Sequence, residues 1–382
     1  MLDLGKMRDE IDVIDSEIVR LFEKRMKICE NVAQFKIETG KPVFDKSREQ
    51  DKLKTLGAKA GSDFNRCGVE ELFQQIMSIS RKRQYQLLQE NGIEEPSDFT
   101  KIDFINKENV TVVYQGVEGA YSYGAMKTFF GEDVKNYHVA TWKDAMEEIK
   151  FGRADYAVLP IENSTAGIVQ DNYDLLTKYD HVIVGEQIIR CQHVLTALPG
   201  ATLSDIRTVY SHPQALMQSA KFLDAHRDWQ QISVANTAVA AKKVLEDQDQ
   251  RKAAICSEYA ARLYGLEILE EKINHNDNNS TRFIIVTNQK IFLKDASKIS
   301  ICFEVSHESG TLYHLLSHFI YNNLSMTKIE SRPVEGRTWE YRFFVDFEGN
   351  MADGAVKNAI RGLREESKSL KILGNYSSKE GV

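Results

Sequence analysis

The sequence predicts a multidomain chain with an all-α N-terminal unit, a two-lobed α/β unit and an α+β unit of ferredoxin-like order. Three observations carry this. Apolar residues from Met7 to Phe35 repeat at 4,3,4,3 spacing, with no Gly or Pro between Lys6 and Thr39. Between Asn109 and about Gln289, short apolar, mostly Val/Ile-rich runs alternate with helical stretches. From about Lys298 to Tyr376 the elements read βαββαβ.

Length and charge bound the reading. At roughly 150 residues per domain, 382 residues suggest two or three domains. A net charge of −7 argues against a sequence-wide basic surface, so no nucleic-acid or membrane partner is expected and clustered cations read as local anion sites. The first ten residues lack the pattern of a signal peptide and no apolar run approaches 18 residues, so a soluble cytoplasmic protein is expected. Cys29, Cys67, Cys191, Cys256 and Cys302 are scattered and form no CxxC, which fits neither a disulfide framework nor a zinc site.

In the N-terminal unit, 1–90, the stripe Met7, Ile11, Ile14, Ile18, Leu21, Arg25, Ile28, Val32, Phe35 defines one helix. It is about 33 residues long, or roughly 50 Å. Gly40 and Pro42 end it, Asp45 is placed to cap a second helix, and a third is expected from about Cys67 to Glu90. Two shorter helices cannot cover the first, so a partner chain is expected along it. Residues 91–107, charged and carrying Pro96, read as a linker.

In the middle unit, 108–290, eight runs are β-like: Val110–Tyr114, Tyr156–Leu159, His181–Val184, Val194–Leu198, Thr208–Tyr210, Ile232–Ala235, Ala253–Cys256 and Phe283–Thr287. A weak repeat offset by 95–97 residues aligns VVYQGVEGAYSYGAMKTFF with TVYSHPQALMQSAKFL, VATWKDAMEEI with VANTAVAAKKV, and DYAVLPIEN with KAAICSEYA. Two similar lobes with a cleft between them account for it. The last unit, 298–376, contributes Ile299–Val305, Gly310–Asn322, Met326–Arg332, Glu340–Phe347, Ala352–Ser367 and Leu370–Leu373 in that order.

Arg25 stands at a seam position where an apolar residue is expected. Alone it is equally a snorkelling or register-setting arginine. Lys36 lies three turns on, ~16 Å away on the same face. Arg8, about 42 Å from Lys36 along the helix, cannot share a ligand with it. In an antiparallel dimer crossing near Leu21, the partner's Arg8 falls beside residue 34. Arg48 and Glu49 open the second helix, and Ser80 and Gln84 are an i,i+4 pair on the third. Cations and neutral donors without a nucleophile, metal or cofactor motif suit a dianion whose reaction needs positioning and electrostatics.

Residues 5–90 resemble the all-helical class of chorismate mutase. Arg8, Arg25, Lys36, Asp45, Arg48, Glu49, Ser80 and Gln84 stand where that family carries its site. The resemblance implies rearrangement of chorismate to prephenate without a cofactor. The arginines would hold two carboxylates, Lys36 and Gln84 would donate to the ether oxygen, and Glu49 would take the ring hydroxyl.

In the middle unit polar residues gather at strand-to-helix turns: Ser122, Glu162–Thr165, Ser211–Gln214 with Gln218, Asn236–Thr237 and Ser280–Phe283. Helix N-termini bind carboxylates, yet Ser122, Asn236 and Thr237 equally serve as plain caps. GVEGAYSYG lacks the GxGxxG order and no Walker lysine follows a Gly-rich loop, so dehydrogenase and NTPase readings are disfavoured. PIENSTAG, SHPQ and Thr281-Arg282-Phe283, in this order, make the segment similar to prephenate dehydratase, with two lobes like those of periplasmic binding proteins. The resemblance implies loss of carbon dioxide and the ring hydroxyl from prephenate to give phenylpyruvate. Thr281 would donate the proton or position its donor, and Arg282 would hold a carboxylate. Asn163, Ser211 and Gln218 would orient the ring, with Ser164 and Phe283 lining the site. Glu162 is either an electrostatic participant or a structural anchor, and His212 is assigned to structure.

The C-terminal unit resembles the ACT domain. Glu330-Ser331-Arg332-Pro333 matches that family's phenylalanine-sensing motif, and Gly310-Thr311-Leu312-Tyr313 departs from its usual Gly-Ala-Leu-Val. The resemblance implies feedback inhibition by L-phenylalanine. His307, His314 and His318 read as a solvated helix face rather than a metal site. A bilobed sensor without catalysis is the competing reading, and it leaves Arg8, Arg25, Lys36 and Arg48 unexplained.

Overall fold

A computed structural model describes residues 3–93, 97–276, 278–308, 310–337 and 339–377. Pro96, in the expected linker, lies outside them.

Asp3 opens the first helix, its carboxylate accepting from the Gly5 N–H at 2.9 Å. Helix α1 (Leu4–Thr39) then runs 36 residues to Gly40, whose φ of +67° ends it. Asp45 caps α2 (Lys46–Gly57) as expected, accepting from the Arg48 N–H at 3.0 Å. Helix α3 (Asp63–Glu90) starts a turn earlier than expected because Ser62 caps it, accepting from Asn65 at 3.2 Å. The apolar stripe of α1 has little to cover it within the chain: Ile11, Ile14, Ile18 and Leu21 are 50–58% exposed.

The next segments are β1 (Thr100–Ile102), β2 (Thr111–Gln115), α4 (Tyr121–Phe130), β3 (Lys135–Val139), α5 (Trp142–Lys150), β4 (Tyr156–Asn163), β5 (Gly167–Ile168), α6 (Gln170–Lys178) and β6 (Val182–Arg190). The second lobe holds β7 (Val194–Ala197), β8 (Thr208–Ser211), α7 (Pro213–Gln218), α8 (Ala220–Leu223), β9 (Gln230–Ser233), α9 (Thr237–Asp247), β10 (Lys252–Cys256), α10 (Glu258–Leu263) and β11 (Glu267–Glu270). The chain returns through β12 (Ser280–Thr287) and β13 (Ile291–Leu293). Part of the segment read as a linker is therefore a strand: β1 lies parallel to β13, Thr100 opposite Ile291.

The internal repeat is a physical one. In the first lobe the order β12-β4-β2-β3 has β2 parallel to β3 and β4, with β12 antiparallel to β4. In the second, β7-β10-β8-β9 repeats the same order and the same directions. Each lobe buries apolar side chains on both faces of its sheet.

The C-terminal unit is β14 (Lys298–Glu304), α11 (Thr311–Tyr321), β15 (Met326–Pro333), β16 (Tyr341–Glu348), α12 (Gly354–Glu366) and β17 (Ser369–Tyr376), in the expected βαββαβ sequence. Its sheet order, β15-β16-β14-β17, continues edge to edge into the first lobe through β17 and β6. That junction depends on Gly374, since a Cβ there would stand 2.1 Å from the Ile183 carbonyl oxygen. Leu373 and Tyr376 accordingly join the first lobe's core beside Val113 and Ile284.

Candidate active sites

The helical site forms where α1 and α3 face each other. Arg25 Nη1 donates to Ser80 Oγ at 2.6 Å, and Lys36 Nζ donates to Gln84 Oε1 at 3.1 Å and to the Val43 carbonyl at 2.7 Å. Ser80 and Gln84 are buried, Arg25 and Lys36 half-buried. Burial lowers the Lys36 pKa, and the Arg48 guanidinium nearby lowers it further against the pull of Glu49 and Asp45. Because Gln84 uses its carbonyl on Lys36, its NH2 end is the donor left for a ligand. Glu49, on the first turn of α2, pairs with Arg81. Arg8 stands exposed near the start of α1, far along the helix from Lys36.

Sequence reasoning missed Arg81. It stands in Ser-Arg-Lys-Arg, directly after Ser80; its side chain is only 7% exposed and a second carboxylate, Glu366 of α12, holds its other arm.

The second site lies between the lobes, in a cavity of about 350 Å³ lined by Asn163, Gln218 and Thr281 together with Tyr121, His193 and Asn279. Thr281 Oγ1 accepts from Asn163 Nδ2 at 2.9 Å and lies 3.2 Å from Cys191 Sγ. Asn163 Oδ1 is fixed in turn by Thr165 and the Ala166 N–H. Gln218 Nε2 donates to Thr165 Oγ1 at 2.7 Å, and its carbonyl accepts from Asn279 Nδ2 at 3.1 Å. That carbonyl also lies 3.0 Å from His193 Nε2, so we assign the imidazole proton to Nε2. Nδ1, 3.0 Å from Tyr121 Oη, is then an acceptor that shares the Tyr121 hydroxyl with the Gln192 carbonyl at 2.9 Å. Burial lowers the His193 pKa, keeping the ring neutral, and raises that of Tyr121 well above the phenol value. Phe283 also lines the cavity.

Four expectations need correction. Ser211 does not face a ligand: it is fully buried and donates to the Ile255 carbonyl at 2.7 Å. Ser164 ties two loops, donating to the Asn278 carbonyl at 2.9 Å, and does not line the cavity. Arg282 points away from the cleft, because neighbours on a strand face opposite sides. Its guanidinium meets Glu162, Glu186 and Asp346 at 3.0, 3.1 and 3.2 Å. Glu162 also pairs with Lys328 at 2.8 Å, which favours the anchor reading. Although burial raises its carboxyl pKa, Lys328 and Arg282 outweigh that and hold it below the ordinary value. His212 caps α7, accepting from the Gln214 N–H at 3.2 Å, and Asn236 caps α9 at 2.8 Å. Ser122 is no cap; it donates to the Gln115 carbonyl at 2.8 Å.

Tyr121, Cys191, His193 and Asn279 escaped the sequence reading. Asn279 directly precedes Ser280 and Thr281, which is the one signal that pointed to it.

In the C-terminal unit, the register sets Arg332 opposite Arg342, itself opposite Glu304. The 330–333 motif and the Gly310 loop therefore share one end of the sheet. Gly310 adopts φ +82°, and Leu312 packs on the local core. Arg332 is not open to a ligand here, since its Nη2 contacts Asp174 of α6 at 2.7 Å. Tyr313 accepts from Gln75 Nε2 of α3 at 3.0 Å, a use for the larger side chain. His318 is buried rather than solvated, its Nε2 lying 3.2 Å from Glu366.

Among the described residues, no helix is long and apolar enough to cross a membrane. Fold and sites together define a two-site enzyme for small carboxylated substrates with an appended ferredoxin-like unit. Residues 7–85 match the family model of chorismate mutase type II, and residues 112–291 that of prephenate dehydratase. The chain is 32% identical to the bifunctional chorismate mutase/prephenate dehydratase of Escherichia coli K12, over 98% of this chain and 96% of that one. Two solved structures, each 31% identical, cover 70% of this chain. One is the prephenate dehydratase of Arthrobacter aurescens in complex with L-Phe, covered to 90% with a TM-score of 0.65. The other is GqqA, a quorum-quenching acylase, covered to 98% with a TM-score of 0.64. The chain belongs to the family of bifunctional chorismate mutase/prephenate dehydratases.

Proposed function

We propose that the chain carries out two consecutive steps of phenylalanine biosynthesis, with 1–90 as the mutase, 108–290 as the dehydratase and 298–376 as an L-phenylalanine sensor. The observation that carries it is the convergence of Arg25, Lys36, Ser80 and Gln84 at 2.6 and 3.1 Å, a cationic site backed by neutral donors. Chorismate needs no group transfer: its two carboxylates are held by Arg25, Arg48 and the partner's Arg8, which selects the reactive conformer. Negative charge developing on the ether oxygen then meets Lys36 and the NH2 of Gln84, while Glu49 takes the ring hydroxyl. The open stripe of α1 supports a homodimer that delivers Arg8 across the interface.

In the cleft, prephenate breaks its ring C–COO⁻ bond, and that electron pair completes the aromatic ring as the C–OH bond breaks. Hydroxide leaves with one proton as water, and the products are phenylpyruvate and carbon dioxide. Thr281 is the group we assign to deliver that proton, supported by its hydroxyl being oriented by Asn163 in the cavity. Acyl transfer, the chemistry of GqqA, calls for an activated nucleophile. Here burial pushes the Cys191 thiol up to about 11 and it contacts the Thr281 hydroxyl and the Ile189 carbonyl, neither of them a base, so dehydration fits better.

The test is to incubate purified protein with chorismate alone, follow prephenate and phenylpyruvate by chromatography, and repeat with L-phenylalanine. Phenylpyruvate that falls on adding phenylalanine is the expected result. Prephenate accumulating alone would sink the dehydratase, and unconsumed chorismate would revive the sensor reading.

A further inference from the structure

Arg81 links two parts of the molecule that the chemistry above treats separately. It sits on α3, one residue after Ser80, with its guanidinium over the Phe44 ring at 4.8 Å. Nη1 holds Glu49 of α2 and Nη2 holds Glu366, the last residue of α12. His318 of α11 flanks the second oxygen of Glu366 at 3.2 Å. The side chains of Arg81, Glu366 and Glu49 are 7%, 17% and 22% exposed, so the triad is largely withdrawn from water. One turn along α3, Tyr85 donates to Glu365, so this stretch of the helix lies directly against α12.

A guanidinium is a rigid plane whose two forked ends cannot move independently. With one end fixed by Glu366, the orientation of the other is decided, and with it the carboxylate of Glu49. We propose that Arg81 is a positioning residue of the mutase site, and that α12 of the C-terminal unit, through Glu366, sets the placement of Glu49. The proposal rests on reading Glu49 as part of that site. It makes an α-helical active site depend on a unit more than 200 residues away in sequence, and gives any movement of α12 a direct route to chorismate turnover.

The experiment uses the full chain and compares Glu366→Gln, Glu49→Gln, the double variant and Arg81→Lys. Each is assayed for kcat and KM with chorismate, and for dehydration of supplied prephenate as a control of the fold. Glu366→Gln should lower mutase kcat about tenfold, as misplacement of a site group does, with KM and the dehydratase within twofold of the parent. In the Glu49→Gln background it should have no further effect, because its route through Arg81 then has no end point. Arg81→Lys, which keeps the charge but not the fork, should resemble Glu366→Gln. Unchanged chorismate kinetics in Glu366→Gln, or a loss that multiplies with that of Glu49→Gln, would overturn the proposal. So would loss of the dehydratase in both Glu366→Gln and Arg81→Lys, which would reduce the contact to packing between units. If the parent chain itself leaves chorismate untouched, the mutase reading fails, a result separate from any of these.

Discussion

Thr281 and Arg282 are consecutive on β12 and serve opposite faces of the sheet. The Thr281 hydroxyl accepts from Asn163 in the cleft at 2.9 Å, while the Arg282 guanidinium lies 3.2 Å from Asp346 of the C-terminal unit. The strand that carries the proposed proton donor is thereby also the strand that grips β16. The cluster is dense: Lys298 reaches the fully buried Glu186 at 2.6 Å, and Ser300 donates to Asp346 at 2.6 Å.

Replacing Arg282 by Met should therefore act first on stability. Removing one partner of a buried ionic cluster costs about 3–5 kcal/mol, since the acids left behind remain desolvated. Chemical denaturation of the intact chain is the measurement. A loss under about 1 kcal/mol, the range of a surface pair, would mean that the cluster is not what joins the two units.

Thr281→Val keeps the shape and removes the hydroxyl. Dehydration of prephenate should fall about 10²–10⁴-fold, the contribution of a positioned acid or base, while chorismate turnover stays at the parental rate. Thr281→Ser should recover most of the loss. If the Val variant turns over prephenate normally, the proton comes from elsewhere in the cavity, and His193 or Tyr121 becomes the group to remove.

Much of this was legible in the sequence, and the failures have physical causes. The 4,3,4,3 stripe of α1 gave the helix within a few residues, and Asp45 capped α2 as its position implied. The offset repeat was real because β4, β2 and β3 have counterparts in β10, β8 and β9. Strands β3 (KNYHV) and β11 (EILE) were missed because charged or polar residues interrupt any apolar run. Period-2 alternation alone puts Arg282 on the face opposite Thr281 and Phe283. What no local pattern reveals is that this face meets Asp346 and Lys328, and a family motif read as a unit hides the alternation. Arg81 was missed for a related reason: its partner Glu366 lies on α12, far along the chain, and no local pattern pairs the two.

Lys36→Ala should remove most mutase activity, by at least about 100-fold if Lys36 is a main donor to the ether oxygen. It also frees Gln84 Oε1 and the Val43 carbonyl, so KM should rise as well. Dehydration of supplied prephenate should be unaffected. Loss of both activities would mean that the two sites are not separate.

Arg332 is engaged by Asp174 at 2.7 Å, with Asp174 41% exposed. A ligand carboxylate that uses Arg332 must compete with that contact. Such a half-exposed pair is worth about 1 kcal/mol or less. Asp174→Asn should therefore lower the phenylalanine concentration for half-inhibition about two- to fivefold, and Arg332→Ala should raise it while leaving uninhibited catalysis intact. Inhibition curves that superimpose on the parent's in both variants would remove the 330–333 motif from sensing.

The neutral state assigned to His193 predicts how the protein responds to acid. Burial lowers its pKa below the ordinary imidazole value, and burial does the same to His181, His212 and His314. Between the lowered folded value and about 6.5 the unfolded chain binds more protons than the folded one. Stability is then flat above about 6.5 and falls as pH drops below it. Glu162 and Glu366 are held below the carboxylate value despite burial, so their contribution is lost only below about 4.5 and does not enter this window. Protonation of His193 also turns Nδ1 into a second donor, so the Tyr121 oxygen accepts from the ring and its proton goes to the Gln192 carbonyl at 2.9 Å, while Nε2–H stays on Gln218. Denaturation midpoints should be nearly level between pH 7.5 and 6.5 and lower at pH 5.5 for the parent, with a smaller fall for His193→Gln. A steeper fall in His193→Gln than in the parent would show that His193 is charged in the folded state.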